Sequence, residues 1–83
     1  SFWRTKYGFE DIGKVKDVPF SSLKRGDVII THNHVFEYTG GNWIVEASGG
    51  TWKASSIAHK KIAKKKYAAY KNDSKAHVMR YKG

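Results

Sequence analysis

The stretch HVFEYTGGNWIVEAS, residues 34 to 48, carries an imidazole and a carboxylate twelve positions apart, His34 and Glu46. Two aromatic and β-branched runs flank Gly40-Gly41 and read as a β-hairpin, with His34 at the head of one strand and Glu46 near the end of the next. Side chains alternate across a strand, so the loop decides whether the two groups share a face. A three-residue loop, Thr39-Gly40-Gly41, sets Tyr38 against Asn42, Phe36 against Ile44 and His34 against Glu46. A two-residue loop at Gly40-Gly41 moves the pairing by one and sends them to opposite faces. The three-residue loop, a type I turn ending in a left-handed glycine, suits these glycines and predicts direct cross-strand neighbours, Cβ atoms about 4.5–5.5 Å apart.

A carboxylate beside an imidazole fixes the ring's orientation and tautomer and raises its basicity, which is what a general base needs to activate a nucleophile. The pair is two-thirds of a catalytic triad, and the third member can come from anywhere in the fold. On a solvated face the same pair is an ordinary cross-strand contact. No thiol is at hand, because the chain has no cysteine; disulfides and thiolate metal sites are excluded on the same ground. His32, His34 and Glu46 offer three possible zinc ligands, but nothing else supports a metal site, and neither metal nor cofactor is expected. His59 and His77 stand alone and fit solvated or edge positions. Trp3, Trp43 and Trp52 fit a core or a groove wall, and Trp43 and Trp52 are the candidates for substrate contact.

The elements that must position these groups are compact. Eighty-three residues make one small domain, able to bury only about 60–65% of the surface its unfolded chain exposes. Three Trp, five Tyr and four Phe within 40% hydrophobic residues are enough for a globular fold, and no apolar run is long enough to span a bilayer. The first twenty residues lack clean periodicity and read as short helix or loop. SSLKRGD is a turn in which Asp27 is expected to bond nearby backbone amides, and DVIIT is a compact buried strand. After the hairpin, Thr51-Trp52-Lys53 can start a further strand. A helix is expected from an N-cap at Ser55 or Ser56, with Ala63, Tyr67 and Tyr70 on one stripe, and AHVMRY is the closing strand. The fold class is α+β, an antiparallel sheet of about four strands with one or two short helices.

Sixteen Lys and Arg against seven Asp and Glu leave a net charge of +9, enough to attract polyanions through the long-range field. HKKIAKKKYAAYK holds six of the lysines and no acid, and Lys64, Lys65 and Lys66 are its centre. Nucleic acid, anionic cell-wall polymer and acidic lipid all qualify as partners. Tyr67 and Tyr70 interleave with the lysines as a nucleic-acid groove would require, although no recognised nucleic-acid motif is present.

LKRGDVIITHNHVFEYTGGNWIVEASGG resembles the C-terminal half of the NlpC-type cysteine peptidases, in the papain-like group that also holds the CHAP amidases. Their pattern is a Leu-x-x-Gly-Asp turn into a strand, then His-Val opening a strand that ends in Tyr-x-Gly, then a third strand with a polar residue about twelve positions after the histidine and usually a small residue next. Leu23, Gly26, Asp27, His34, Val35, Tyr38, Gly40, Glu46 and Ala47 fit it, over roughly residues 21 to 50. AHVMRY resembles the closing strand of that family.

The resemblance implies hydrolysis of peptidoglycan amide bonds by a cysteine thiolate, with His34 as the base and Glu46 orienting it, in a bacterial or phage protein such as an endolysin that works outside the cell or in its wall. Glu at this position is also found in permuted members of the group. In typical members the cysteine opens a helix before the sheet, where the helix N-terminus lowers its pKa. Three readings follow from its absence here. The chain is an incomplete papain-like domain whose cysteine comes from a missing segment or a second chain, and SFW resembles the residues that follow such a cysteine; or Ser1 occupies its place; or the domain only binds. The first is the expectation, with peptidoglycan or another anionic wall polymer as partner.

Overall fold

The computed structural model describes residues 8–47 and 57–82. Six antiparallel strands form one sheet: β1 (Phe9–Lys14), β2 (Val28–Ile30), β3 (Val35–Gly40), β4 (Trp43–Ala47), β5 (Ile57–Lys60) and β6 (His77–Tyr81). Their order across the sheet is β1-β6-β2-β3-β4-β5. Among the described residues one helix, α1 (Ala63–Ala69), and a 3-10 turn at Phe20–Ser22 lie against one face. The architecture is α+β, with six strands among the described residues rather than about four.

The two additional strands have separate physical causes. β1 falls where helix or loop was expected. Its register against β6 shifts between Asp11 and Gly13, so the alternation that marks a strand is broken midway. Gly13 sits at φ 138°, and a Cβ there would lie 3.0 Å from Val18 Cγ2, so any other residue would be strained at the bulge. β5 falls where the first turns of the helix were expected. Ile57–Lys60 pairs with Ile44–Ala47 of β4, and these cross-strand contacts override the helix propensity of the lysine-rich run. The helix therefore starts at Ala63, not near Ser55 or Ser56. Its first amides are capped from the distant hairpin turn: Ala63 N donates to Asn42 O (3.0 Å) and Lys64 N to Asn42 Oδ1 (2.7 Å). The strand expected at Thr51-Trp52-Lys53, and Trp3, lie outside the described residues.

Ile29, Phe36, Tyr38, Ile44 and Val78 of the sheet, with Ala63 and Tyr67 of α1, are buried together. This core tethers α1 over the face that carries the even-numbered residues of β3 and β4. Phe20 packs edge-on to Tyr38 (5.6 Å), and the Tyr67 hydroxyl donates to Val18 O (2.6 Å). Burial first, and then the charge of Asp27, push the Tyr67 phenol up to about 12. Asp27 anchors the start of β2: it accepts from Lys24 N (2.8 Å), as the turn predicts, and also takes a bidentate contact from Arg80 of β6 (2.9 and 2.8 Å).

The hairpin closes differently from the expected loop. Gly40 pairs with Trp43 across a two-residue turn, Gly41-Asn42, while Tyr38 pairs with Ile44 and Phe36 with Glu46. Thr39 is thus one extra residue on β3, a bulge beside Gly40 at φ 106°. Were Thr39 paired in line with Ile44 instead, the Gly41-Asn42 turn would bring Glu46 opposite Glu37 and onto the other face.

Candidate active site

His34 stands just before β3, and its backbone is held by the turn that leads into the strand. Thr31 N donates to His34 O (2.8 Å), and His34 N donates to the buried Thr31 hydroxyl (2.9 Å). Across from this turn, the loop after α1 supplies Asp73. His32 N (3.1 Å) and His32 Nδ1 (2.7 Å) both bond Asp73 Oδ2. The His32 ring, the His32 amide and the Lys75 amide hold the Asp73 carboxyl down at about 2. The backbone of His34 is therefore fixed by Thr31, and the turn that carries it is tied to the loop after α1.

His34 and Glu46 share a face, as the sequence predicts, but they are diagonal neighbours. Phe36, not His34, is the residue directly opposite Glu46. The diagonal is bridged: His34 Nε2 lies 2.8 Å from Glu46 Oε2. The imidazole packs on the Phe36 ring (5.9 Å), which packs in turn on Tyr70 (5.9 Å). Its side chain keeps 20% of its surface exposed, whereas Glu46 keeps only 7%.

Two lysines complete the surroundings of Glu46. Lys60 Nζ from β5 is 2.8 Å from Oε1, and Lys66 Nζ from α1 is 3.2 Å from Oε2. Burial by itself would raise the carboxyl; the bonds from Lys60, His34 and Lys66 outweigh it and bring the group down to about 2. Glu46 is ionised at neutral pH, and an ionised carboxylate only accepts hydrogen bonds. Nε2 of His34 must therefore carry the proton of that bond. In the neutral ring the lone pair then sits on Nδ1, which among the described residues has no hydrogen-bond partner. The arrangement is a partly exposed base with its free nitrogen set by a buried anion.

The other candidate residues lie elsewhere. Trp43 alternates with Ile44 and Glu46 on β4, so it faces away from His34; it is 39% exposed and packs at a tilt against His59, ring centres 4.6 Å apart. Trp52 is outside the described residues. Lys64 and Lys65 are exposed on α1, whereas Lys66 turns inward to Glu46. His77 is not alone, since its Nδ1 is 2.9 Å from Asp11 Oδ2, and His59 Nε2 meets the Thr39 hydroxyl at 3.0 Å. Among the described residues no cluster of three or more His, Asp or Glu is placed to hold a metal.

Sequence reasoning missed the inward lysines, the His32–Asp73 contact and the Asp27–Arg80 pair. Lys66 did leave a signal: with Ala63, Tyr67 and Tyr70 it completes the i, i+3, i+4, i+7 stripe of a buried helix face. The remaining contacts join residues more than ten positions apart and left no local signature. Comparison with family models, with curated proteins and with solved structures finds no match to this chain. No helix among the described residues is long and apolar enough to cross a membrane.

Proposed function

We propose that this chain is the histidine-bearing sheet half of a papain-like cysteine peptidase or amidase that cleaves amide bonds in peptidoglycan, outside the cell or in its wall. The observation that carries the reading is the His34–Glu46 bond of 2.8 Å, with the imidazole partly exposed and the carboxylate buried. The nucleophile is a cysteine from a segment or chain beyond this sequence. Its thiol proton passes to His34 Nδ1, the thiolate attacks the amide carbonyl, and the imidazolium returns the proton to the leaving amine. Water, deprotonated by the same nitrogen, then releases the acyl group from sulfur.

The test is hydrolysis of purified peptidoglycan by the gene product containing this chain with the residues encoded beside it. Turnover should be lost on thiol alkylation and in His34→Ala, and reduced about 100-fold in Glu46→Gln. Full turnover in His34→Ala, indifference to alkylation, or a product that neither contains a cysteine nor copurifies with a chain containing one would overturn the reading.

A second reading rests on a different observation. Among the described residues Lys61, Lys64, Lys65 and Lys71 are exposed and make no ion pair. They would give a non-catalytic module that holds an anionic polymer, wall polymer or nucleic acid, through its field. Affinity for a polyanion that falls linearly on a log–log plot against salt, with a slope reduced in Lys64→Met/Lys65→Met, supports this reading. Salt-independent affinity removes it.

A further inference from the structure

We propose that Lys60 and Lys66 are positioning residues for His34, which act by clamping the Glu46 carboxylate from two sides; the catalytic meaning of this role rests on the peptidase reading. The lysine-rich run looks in sequence like a solvated surface, yet two of its members reach the same buried carboxylate. Lys60 Nζ holds Oε1 (2.8 Å), the oxygen that His34 does not use. Lys66 Nζ (3.2 Å) and His34 Nε2 (2.8 Å) share Oε2.

The three donors belong to the edge strand β5, the helix α1 and the turn before β3. Turning the carboxylate plane, or withdrawing it, breaks a bond to at least one element. A carboxylate this deeply buried needs such partners. Stripped of water and left with the His34 ring as its one partner, it would protonate or rotate toward solvent. Either change removes the acceptor that keeps the His34 proton on Nε2. Protonated Glu46 could donate to Nε2 instead, moving the ring proton to Nδ1 and blocking the nitrogen that must act as base.

The clamp makes unequal demands on its two arms. Lys60 is half-exposed and holds the carboxylate from its far side, so its loss frees rotation. Lys66 is more enclosed and competes with His34 for one oxygen, so its loss removes charge and leaves the His34 bond in place. Lys64 and Lys65, the two residues before it, are exposed and serve as internal controls.

The experiment is NMR on this 83-residue chain, reading the Glu46 side-chain carboxyl against pH and the His34 ring nitrogens for tautomer, in Lys60→Met, Lys66→Met and the double variant. In the double variant the Glu46 midpoint should rise from about 2 toward its ordinary 4.5 by at least about one pH unit. The Nε2–H form of His34 should lose its dominance in Lys60→Met and in the double variant. Lys60→Arg should restore it, and Lys64→Met/Lys65→Met should leave both readouts unmoved. Should the double variant unfold, each single variant carries the midpoint test with a smaller rise.

A Glu46 midpoint that stays near 2 together with an unchanged tautomer overturns the proposal, since it would mean the lysines only decorate the carboxylate. Neither readout needs a nucleophile, so the lysine clamp can succeed where no hydrolysis is found. Conversely, hydrolysis lost in His34→Ala beside unmoved readouts in the lysine variants sinks the clamp and leaves the peptidase reading standing.

Discussion

Glu46 lies directly opposite Phe36, yet its Oε2 reaches diagonally to within 2.8 Å of His34 Nε2. The diagonal brings the imidazole to the mouth of the sheet, where it keeps some exposure, while the carboxylate stays beneath Lys60 and Lys66. A directly opposite pair would bury or expose both groups together. The offset separates a solvent-reachable base from a water-excluded anion, and four consequences of this fold can be measured.

Neutral His34 should be protonated on Nε2. Nitrogen-15 shifts recorded above the ring's titration should show Nε2 as the N–H and Nδ1 as the bare nitrogen. In Glu46→Gln, whose amide can donate as well as accept, the preference should weaken. A ring protonated on Nδ1 in the parent chain would contradict the bond assigned here.

Acid should destabilise the fold through Glu46 and Asp73. Both carboxyls are held at about 2, below their ordinary 4.5 and 3.8. Depressed values mean stabilisation that is complete above the ordinary values and lost as the pH falls from there toward 2. For Glu46 the loss is on the order of 2 kcal/mol, allowing for screening through the half-exposed Lys60. Urea denaturation at pH 6 and pH 2.5 measures it, and Glu46→Gln should remove most of the difference that this residue contributes.

The Asp27–Arg80 pair should be asymmetric. Asp27 is 1% exposed in its side chain and Arg80 23%. Arg80→Met keeps the aliphatic stem but leaves a buried carboxylate facing only the Lys24 amide, at a cost of about 3–5 kcal/mol. Asp27→Ala leaves a guanidinium that can turn to water, at about 2 kcal/mol. Thermal denaturation of the two variants should rank them in that order.

One tyrosine should titrate late. Tyr67, with its phenol pushed up to about 12, should ionise after the ordinary tyrosines in an alkaline absorbance titration, and the late component should vanish in Tyr67→Phe. A raised phenol value means stability that is present below pH 10 and lost as the pH climbs through 12. The variant should also lose about 1 kcal/mol from the missing bond to Val18 O.

What could be read from the chain before its fold was known follows a physical division. β2, β3, β4 and β6 announce themselves through β-branched and aromatic runs, and the shared side of His34 and Glu46 follows from alternation. β1 was hidden by the irregularity at Gly13, and β5 by residues that favour a helix until β4 offers them a partner. The hairpin register escaped because two features, a shorter turn and an extra Thr39, nearly cancel in their effect on which side Glu46 faces. Lysines were invisible as clamps because a charge run says nothing about the direction of each side chain; only the stripe through Ala63, Lys66, Tyr67 and Tyr70 pointed inward.

The single surplus residue at Thr39 imposes a parity rule on the hairpin. Its tip can change identity, and the hairpin can lengthen or shorten by one residue in each strand between the tip and the pair, with the imidazole and the carboxylate still meeting. One residue inserted between Ile44 and Glu46, with the remaining pairing kept, turns Glu46 over to the side of Trp43 and His59, whereas loss of the unpaired Thr39 leaves Phe36 opposite Glu46. A graft that changes the number of paired residues must therefore add or remove them one per strand, however permissive the turn itself proves to be.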